Sequence, residues 1–420
     1  METREKIVII GGGFAGLQLA KTLNNKNKKV IVIDKVNHHM FQPLFYQVAC
    51  GRIEPSNISF PFRKIFQRSR NIQFRLSEVE RIEPTENRII TKEAEFHYDK
   101  LVIATGCKTN FFGNDKMESL TFGMKNTQEA IAIRNHVLLT FEKLIMERRR
   151  SDDGNWNIVI VGSGATGVEL AGAFAEMKKE ILPRDYPNMN FDDLKIVLIS
   201  ATDKPLSVMS DMAQNKSEEY LKKLGVQLLS GEKVIDYDGE KVLMESGKQI
   251  ASNNVIWAAG VTGNVIEGLD PSIMVRNRYI TDRYNRVKGY DNIFAVGDIA
   301  YMETPLYPQG HPQVANVAIN QGKRLAKNIL KRNALQWKEY EYNDKGSMAT
   351  IGKHRAVVDL PRVKFSGFLA WYLWMFLHLM LILSVRNKIA VFFNWMWSYF
   401  NKDSSLRLII IPNKKNSTEQ

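Results

Sequence analysis

The residues in this chain best placed to do chemistry are glycines. Gly11-Gly12-Gly13-Phe14-Ala15-Gly16 follows the apolar run Ile7-Val8-Ile9-Ile10. Gly162-Ser163-Gly164-Ala165-Thr166-Gly167 follows Ile158-Val159-Ile160-Val161. Both read G-x-G-x-x-G at the turn from a buried strand into a helix. There the glycines permit a tight turn, a close approach of backbone to pyrophosphate and close helix–strand packing. The helix start adds free N–H groups and a positive dipole end. One such match is weak, but two, each with its strand, predict two dinucleotide sites. Two dinucleotides in one chain suggest electron transfer from a nicotinamide to a flavin.

Acids and hydroxyls at strand ends extend the pattern. Asp34 closes Val30-Ile31-Val32-Ile33-Asp34, about twenty residues past the first glycine loop, where an acid binds a ribose hydroxyl. Asp298 ends Ile293-Phe294-Ala295-Val296-Gly297-Asp298 and suggests a second hold on an elongated cofactor. Glu169 lies just past Gly167. The helix dipole alone could account for it, but a carboxylate near pyrophosphate needs a partner, and a nicotinamide carboxamide could supply one. Ser200 ends Lys195-Ile196-Val197-Leu198-Ile199, where an acid would grip the NADH ribose. No arginine follows for a 2′-phosphate, and Lys204 is the nearest cation.

The elements that must position these residues follow from the apolar runs. Residues 6–34 read as strand, glycine turn, helix and strand. Leu101-Val102-Ile103-Ala104-Thr105-Gly106 is a further buried strand and turn, echoed by Val255-Ile256-Trp257-Ala258-Ala259-Gly260. Residues 126–150 read as a helix, 151–154 as a linker, and 178–193 as a polar surface excursion. The tail 413–420 reads as frayed. The predicted fold class is α/β: two nested Rossmann-like dinucleotide-binding domains plus a C-terminal membrane-associating region with apolar helices. The expected boundaries are 1–120 with 270–330 for the first domain, 150–265 for the second and 331–420 for the C-terminal region.

Composition narrows the class. The chain has 420 residues, two cysteines and a net charge of +13. Cys50 and Cys107 are too far apart to resemble the redox pair of a flavin disulfide reductase. Electrons must therefore leave for a diffusible acceptor or another protein. Residues 331–420 carry fourteen Lys and Arg against six Asp and Glu, together with the most apolar segments. Basic plus apolar points to an anionic membrane surface, and no nucleic-acid motif accompanies it. Residues 365–385 just reach the ~20 residues of a spanning helix. Residues 389–400 form a second apolar piece, and Trp371, Trp374, Trp395 and Trp397 cluster there. Two helices lying in the interface are the preferred reading, a single span the next, and a soluble core helix the third. His378 is expected to pack or hydrogen-bond locally. Residues 1–6 show no signal peptide, so the nucleotide domains are expected to face the cytoplasm.

Several further motifs join the glycine loops: Phe41-Gln42-Pro43-Leu44-Phe45-Tyr46-Gln47-Val48-Ala49, Gly164-Ala165-Thr166-Gly167-Val168-Glu169-Leu170, Trp257-Ala258-Ala259-Gly260-Val261 and Ala295-Val296-Gly297-Asp298. With Ala370-Trp371, His378, Arg386-Asn387-Lys388 and Arg407-Leu408-Ile409, the chain resembles the type II NADH dehydrogenases over about residues 5–412. These are the single-subunit NADH:quinone oxidoreductases of respiratory membranes.

The resemblance implies FAD against Gly11, Gly13, Phe14, Ala15, Gly16, Asp34, Lys35, Ala104, Thr105, Gly106, Gly297 and Asp298. It implies NADH against Gly162, Gly164, Gly167, Glu169, Ser200 and Gly260, with NADPH left open by Ser200. It implies a membrane quinone (menaquinone or ubiquinone) as acceptor, attachment to the bilayer surface, no proton pumping and a homodimer. No residue is expected to hold a metal. The family's quinone motif, A-Q-x-A-x-Q, is matched by Ala315-Asn316-Val317-Ala318-Ile319-Asn320. Asn316 and Asn320 keep the amide but lose about 1.5 Å of reach, one bond length. With Glu169, they are the candidate catalytic residues.

Three other readings differ in what they need. A sulfide:quinone oxidoreductase needs a persulfide cysteine beyond the middle of the chain. A soluble ferredoxin-type reductase has no use for residues 365–400. A flavin-binding scaffold or NADH sensor would bind both cofactors without turning over a quinone.

Overall fold

The computed structural model describes residues 4–147, 154–401 and 406–410. The basic run at 148–150, the linker residues 151–153 and the tail 413–420 lie outside the described residues. In chain order the elements that matter for function are β1 (Lys6–Ile10), α1 (Phe14–Thr22), β2 (Lys29–Asp34), α2 (Phe45–Ala49), β3 (Ile72–Leu76), β4 (Lys100–Ile103), α3 (Thr127–Glu147), β5 (Ile158–Val161), α4 (Ala165–Glu176), β6 (Ile196–Ser200), α5 (Asp211–Lys223), β7 (Gln227–Ser230), β8 (Asn254–Trp257), β9 (Ile293–Ala295), α6 (Ala315–Ile329), β10 (Ser347–Thr350), β11 (Ala356–Asp359), β12 (Lys364–Gly367), α7 (Phe368–Leu381) and α8 (Val385–Asn401).

The chain divides into two compact units, each discontinuous. The first gathers residues up to 40, 59–108 and 261–345. Its sheet runs β9-β4-β1-β2-β3, all parallel. Such strands are covered on both faces, which is why they read as unbroken apolar runs rather than alternating ones. Val8, Ile10, Ile31, Ile33, Leu101 and Ile103 fill one side of the sheet. Helix α1 packs on α6, and the approach is close: a Cβ on Gly322 would stand 2.3 Å from the Ala15 carbonyl oxygen.

The second unit gathers 41–58, 109–260 and the chain from 346 onward. Its parallel sheet runs β7-β6-β5-β8, with Val159, Val161, Val197, Ile199, Val255 and Trp257 in its core. A separate antiparallel sheet, β10-β11-β12, follows at the C-terminal end. It lies on α4, α5 and α7.

This division differs from the sequence-based boundaries. Residues 41–58 sit in the second unit because α2 packs on α3 and α4, and 109–120 sit there too, with the Asn110 carbonyl oxygen accepting from Trp257 Nε1 at 2.8 Å. Residues 331–345 complete the first unit, and 346 onward are part of the second rather than a separate region. The stretch 178–193 lies largely at the surface, as its polar sequence suggests, and is anchored at a few apolar positions. Helix α4 continues through a π turn at Met177–Ile181, and Leu182 and Phe191 are buried.

Candidate functional site

Each parallel sheet has one point where the strand order reverses. In the first unit it lies between β1 and β4, in the second between β5 and β8. Crevices at such points are where open α/β sheets bind ligands. Both glycine loops open there.

The three glycines of each loop do three separate jobs. Gly11 has φ +99°, and a Cβ on it would stand 2.3 Å from the Ala104 carbonyl oxygen. Gly162 repeats this with φ +105° and 2.5 Å to the Ala258 oxygen. Gly16 and Gly167 close each turn, where a Cβ would come within 1.9 Å of the Gly11 oxygen and 1.8 Å of the Gly162 oxygen respectively. Gly13 and Gly164 instead face open space, with nothing within 4 Å of the Cβ position. Those open middle glycines, at helix starts that no side chain caps, fit a pyrophosphate in each unit. Phe14 and Ala15 begin α1 directly behind the opening.

Around the first loop, Asp34 accepts from Gly12 N–H at 2.6 Å and from Val36 N–H at 3.0 Å. Burial nevertheless pushes its carboxyl above the ordinary range. Ala104, Thr105 and Gly106 follow β4, and Thr105 is tied down by donating to the Asn264 oxygen at 2.7 Å. Gly297, at φ +77°, donates to Gln321 Oε1 at 2.7 Å. Asp298 Oδ2 accepts from the Cys107 thiol at 3.0 Å. Lys35 is exposed and 3.6 Å from Glu78. The donor and acceptor set at this crevice fits a ribose and a ribityl chain. On α6, the Asn320 amide turns back on Asn316, donating to its carbonyl oxygen and its Oδ1, both at 2.8 Å.

In the second unit, Glu169 on α4 accepts weakly from Thr350 N–H at 3.5 Å. Desolvation pushes its carboxyl up to about 8, against one backbone hydrogen bond that lowers it. Gly260 has φ +146° and follows β8. Ser200 is 1% exposed. Its hydroxyl lies 2.6 Å from Ser163 Oγ, 2.9 Å from Thr202 Oγ1 and 3.0 Å from the Thr202 carbonyl oxygen. Its hydrogen-bonding capacity is thus taken up within the loop.

Several residues here carry no signal in isolation. The Tyr46 hydroxyl lies 3.0 Å from Thr350 Oγ1 and accepts from Gln47 Nε2 at 2.8 Å. Gln47 Oε1 in turn accepts from Trp395 Nε1 at 2.7 Å. Glu169, Thr350, Tyr46, Gln47 and Trp395 therefore form one chain of contacts from α4 to α8. Only the aromatic and amide content of the 41–49 motif could have hinted at it. His378 behaves as expected: its ring stacks on Trp374 at 4.1 Å, Nδ1 bonds the Trp374 oxygen at 2.8 Å, and burial holds its imidazole down to about 4.

Helices α7 and α8 turn one face inward, with Ala370, Trp374, Met375 and Val391 buried. The other face leaves Leu369, Phe376, Met380, Ile389, Phe393 and Trp397 more than half exposed. No helix among the described residues is long and apolar enough to cross a membrane.

Comparison with known proteins agrees with this geometry. The pyridine nucleotide-disulphide oxidoreductase family matches residues 5–322, and the NDH2 C-terminal domain matches 345–402. The chain is 32% identical to the type II NADH:quinone oxidoreductase Ndh of Mycobacterium tuberculosis, over 95% of this chain and 89% of that protein. The structure of NDH2 from Plasmodium falciparum in complex with NADH superposes with a TM-score of 0.90 at 20% identity, covering 97% of this chain and all of that one (100%). The sulfide:quinone oxidoreductase of Aquifex aeolicus is more distant, at a TM-score of 0.72 and 20% identity over 95% of this chain and 96% of that one.

Proposed function

The chain belongs to the type II NADH:quinone oxidoreductases, and from that premise we propose how its residues divide the work. It is a flavin-dependent enzyme that oxidises NADH and reduces a quinone. When bound, the flavin takes hydride from the nicotinamide and passes two electrons on, chemistry that belongs to the cofactor.

The chain's own residues bind, orient and protonate. In the first unit, Gly11, Gly13, Phe14, Ala15 and Gly16 bring backbone up to the FAD pyrophosphate, and Asp34 takes a ribose hydroxyl. Lys35 stands beside it. Ala104, Thr105, Gly106, Gly297 and Asp298 line the rest of that crevice. In the second unit, Gly162, Gly164 and Gly167 do the same for NADH, and Gly260 keeps the floor of the crevice free of a side chain. Ser200 closes the loop under the adenosine ribose. Glu169, with its raised carboxyl, holds a proton near neutral pH and can orient a carboxamide or deliver that proton. Asn316 offers an amide hydrogen bond to a quinone carbonyl, and Asn320, which donates to the Asn316 carbonyl oxygen and Oδ1, orients that amide.

The exposed apolar face of α7 and α8 lies in the headgroup layer of a bilayer, on its cytoplasmic side, with the basic surplus meeting anionic lipid. A homodimer is the expected assembly.

The observation that carries this reading is the duplicated crevice: two glycine loops, each opening at a strand-order reversal, in one chain. The sulfide reading lacks its chemistry. No cysteine follows Cys107, and Cys50 is buried with its thiol pushed up to about 11. The test is anaerobic mixing of the purified yellow protein with NADH, then with menaquinone and ubiquinone analogues. Bleaching by NADH and recovery of colour with a quinone are expected. A colourless protein, or a flavin that NADH leaves oxidised, overturns the reading.

A further inference from the structure

The chain contains its own control for nucleotide selection. Asp34 and Ser200 each end the second strand of a parallel sheet. Each also meets the second residue of its glycine loop, Asp34 at Gly12 N–H and Ser200 at the Ser163 hydroxyl. In the first unit that place holds a carboxylate. In the second it holds a neutral cluster of three hydroxyls, those of Ser163, Ser200 and Thr202.

A carboxylate at this place selects against a 2′-phosphate in two ways. It accepts from the ribose hydroxyls of the unphosphorylated nucleotide, and it repels the phosphate dianion. The hydroxyl cluster bears no charge to repel a phosphate, and its protons are spent within the loop, where Thr202 Oγ1 donates to the Lys204 carbonyl oxygen at 2.9 Å. Further along the same loop, Lys204 Nζ donates to Asn215 Oδ1 at 2.6 Å, and an ammonium has three protons to give.

Two acids stand near enough to argue the other way. Glu232 is held by Lys248 at 2.7 Å. Asp203 is exposed and lies toward Gly231, its Oδ1 3.9 Å from that residue's Cβ position, on the β7 side of the loop rather than at the end of β6.

We infer that the second unit accepts NADPH as well as NADH, because no carboxylate stands at the end of β6 to repel the 2′-phosphate and the Lys204 ammonium on the same loop can receive it. The inference rests on the oxidoreductase reading above. The redox balance is that of NADH: one hydride leaves the nicotinamide, and NADP⁺ departs in place of NAD⁺.

The test pairs binding with reduction, on the full-length flavoprotein. Calorimetry with adenosine 2′,5′-diphosphate should show binding, and stopped-flow reduction by NADPH should lie within about tenfold of that by NADH. Ser200→Asp should lower the NADPH-to-NADH ratio of kcat/KM by about 100-fold or more. Ser200 is buried, so Lys204→Ala serves as a second variant on a more open side chain, and it should lower the same ratio and weaken adenosine 2′,5′-diphosphate. Reduction by NADH with neither NADPH reduction nor binding of the bisphosphate overturns this inference alone. So does an Asp203→Asn variant that shifts the ratio while Ser200→Asp leaves it unmoved. Failure with both coenzymes overturns the oxidoreductase reading instead.

Discussion

The Arg52 guanidinium and the Glu176 carboxylate form a buried ion pair, each side chain 9% exposed. Glu176 also accepts from Lys353 N–H at 2.6 Å, so the pair ties the loop after α2 and the loop after β10 to the end of α4. Removing one member of a buried pair leaves the other charge without its counter-ion, at a cost of ~3–5 kcal/mol. Arg52→Met should lower unfolding stability by about that amount. The double variant Arg52→Met with Glu176→Leu should recover part of it. Urea unfolding of the three proteins checks both statements, and an Arg52→Met variant as stable as wild type refutes them.

Glu169 makes stability depend on pH. Its folded carboxyl is raised from 4.5 to about 8, so the folded state prefers it protonated. That contribution is whole below pH about 4.5 and is lost as pH rises through about 8. Compared with Glu169→Gln, which keeps the shape without the titration, wild type should lose stability by up to ~1.4 kcal/mol per pH unit across that window. Parallel stability profiles for the two proteins would show that Glu169 is ionised throughout. The same variant should also remove a limb near pH 8 from the quinone-dependent rate.

Membrane attachment should follow the exposed faces of α7 and α8. Replacing Phe393 and Trp397 together by Ser removes two large side chains that are 64% and 65% exposed. Each is worth ~1.5–3 kcal/mol when transferred from water. Sedimentation with anionic vesicles should show binding weakened by at least about tenfold, with salt weakening the remainder. Unchanged sedimentation would place the contact elsewhere.

The Asn316 and Asn320 pair should tune the quinone. Asn320 spends its donors on Asn316, whereas a glutamine there reaches one methylene further. Asn320→Gln should lower KM for a quinone analogue by about three- to tenfold, the worth of one hydrogen bond, with little change in the rate of reduction by NADH. Equal KM values would remove the start of α6 from the quinone site.

The two crevices were legible because their cause is local. A buried parallel strand reads as an apolar run, and the turn after it needs glycine at fixed offsets; Gly11 and Gly162 adopt positive φ for that reason. Asp34 could be placed by spacing alone. The remaining parts of the site depend on residues distant in the chain. Arg52 and Glu176 are 124 positions apart, and Tyr46 and Thr350 are 304 apart. No periodicity encodes such pairings, so the excursion of residues 41–58 into the second unit could not be read in advance. Ser200 was visible as a missing acid, but its closure by Ser163 and Thr202 emerged only when the loop was seen folded.

The interleaving of the two units has a consequence for how the polypeptide is made. Residues 346 onward supply the sheet that covers α4 and α5, so the second unit lacks that layer until translation has passed residue 367. The first unit is completed only at residue 345. A ribosome stalled just before residue 346 would carry both parallel sheets with all their strands but with the faces of α4 and α5 that this layer packs on uncovered, a species on which chaperones act. Deleting the last 75 residues to make a soluble version would therefore strip a structural layer from the catalytic body itself.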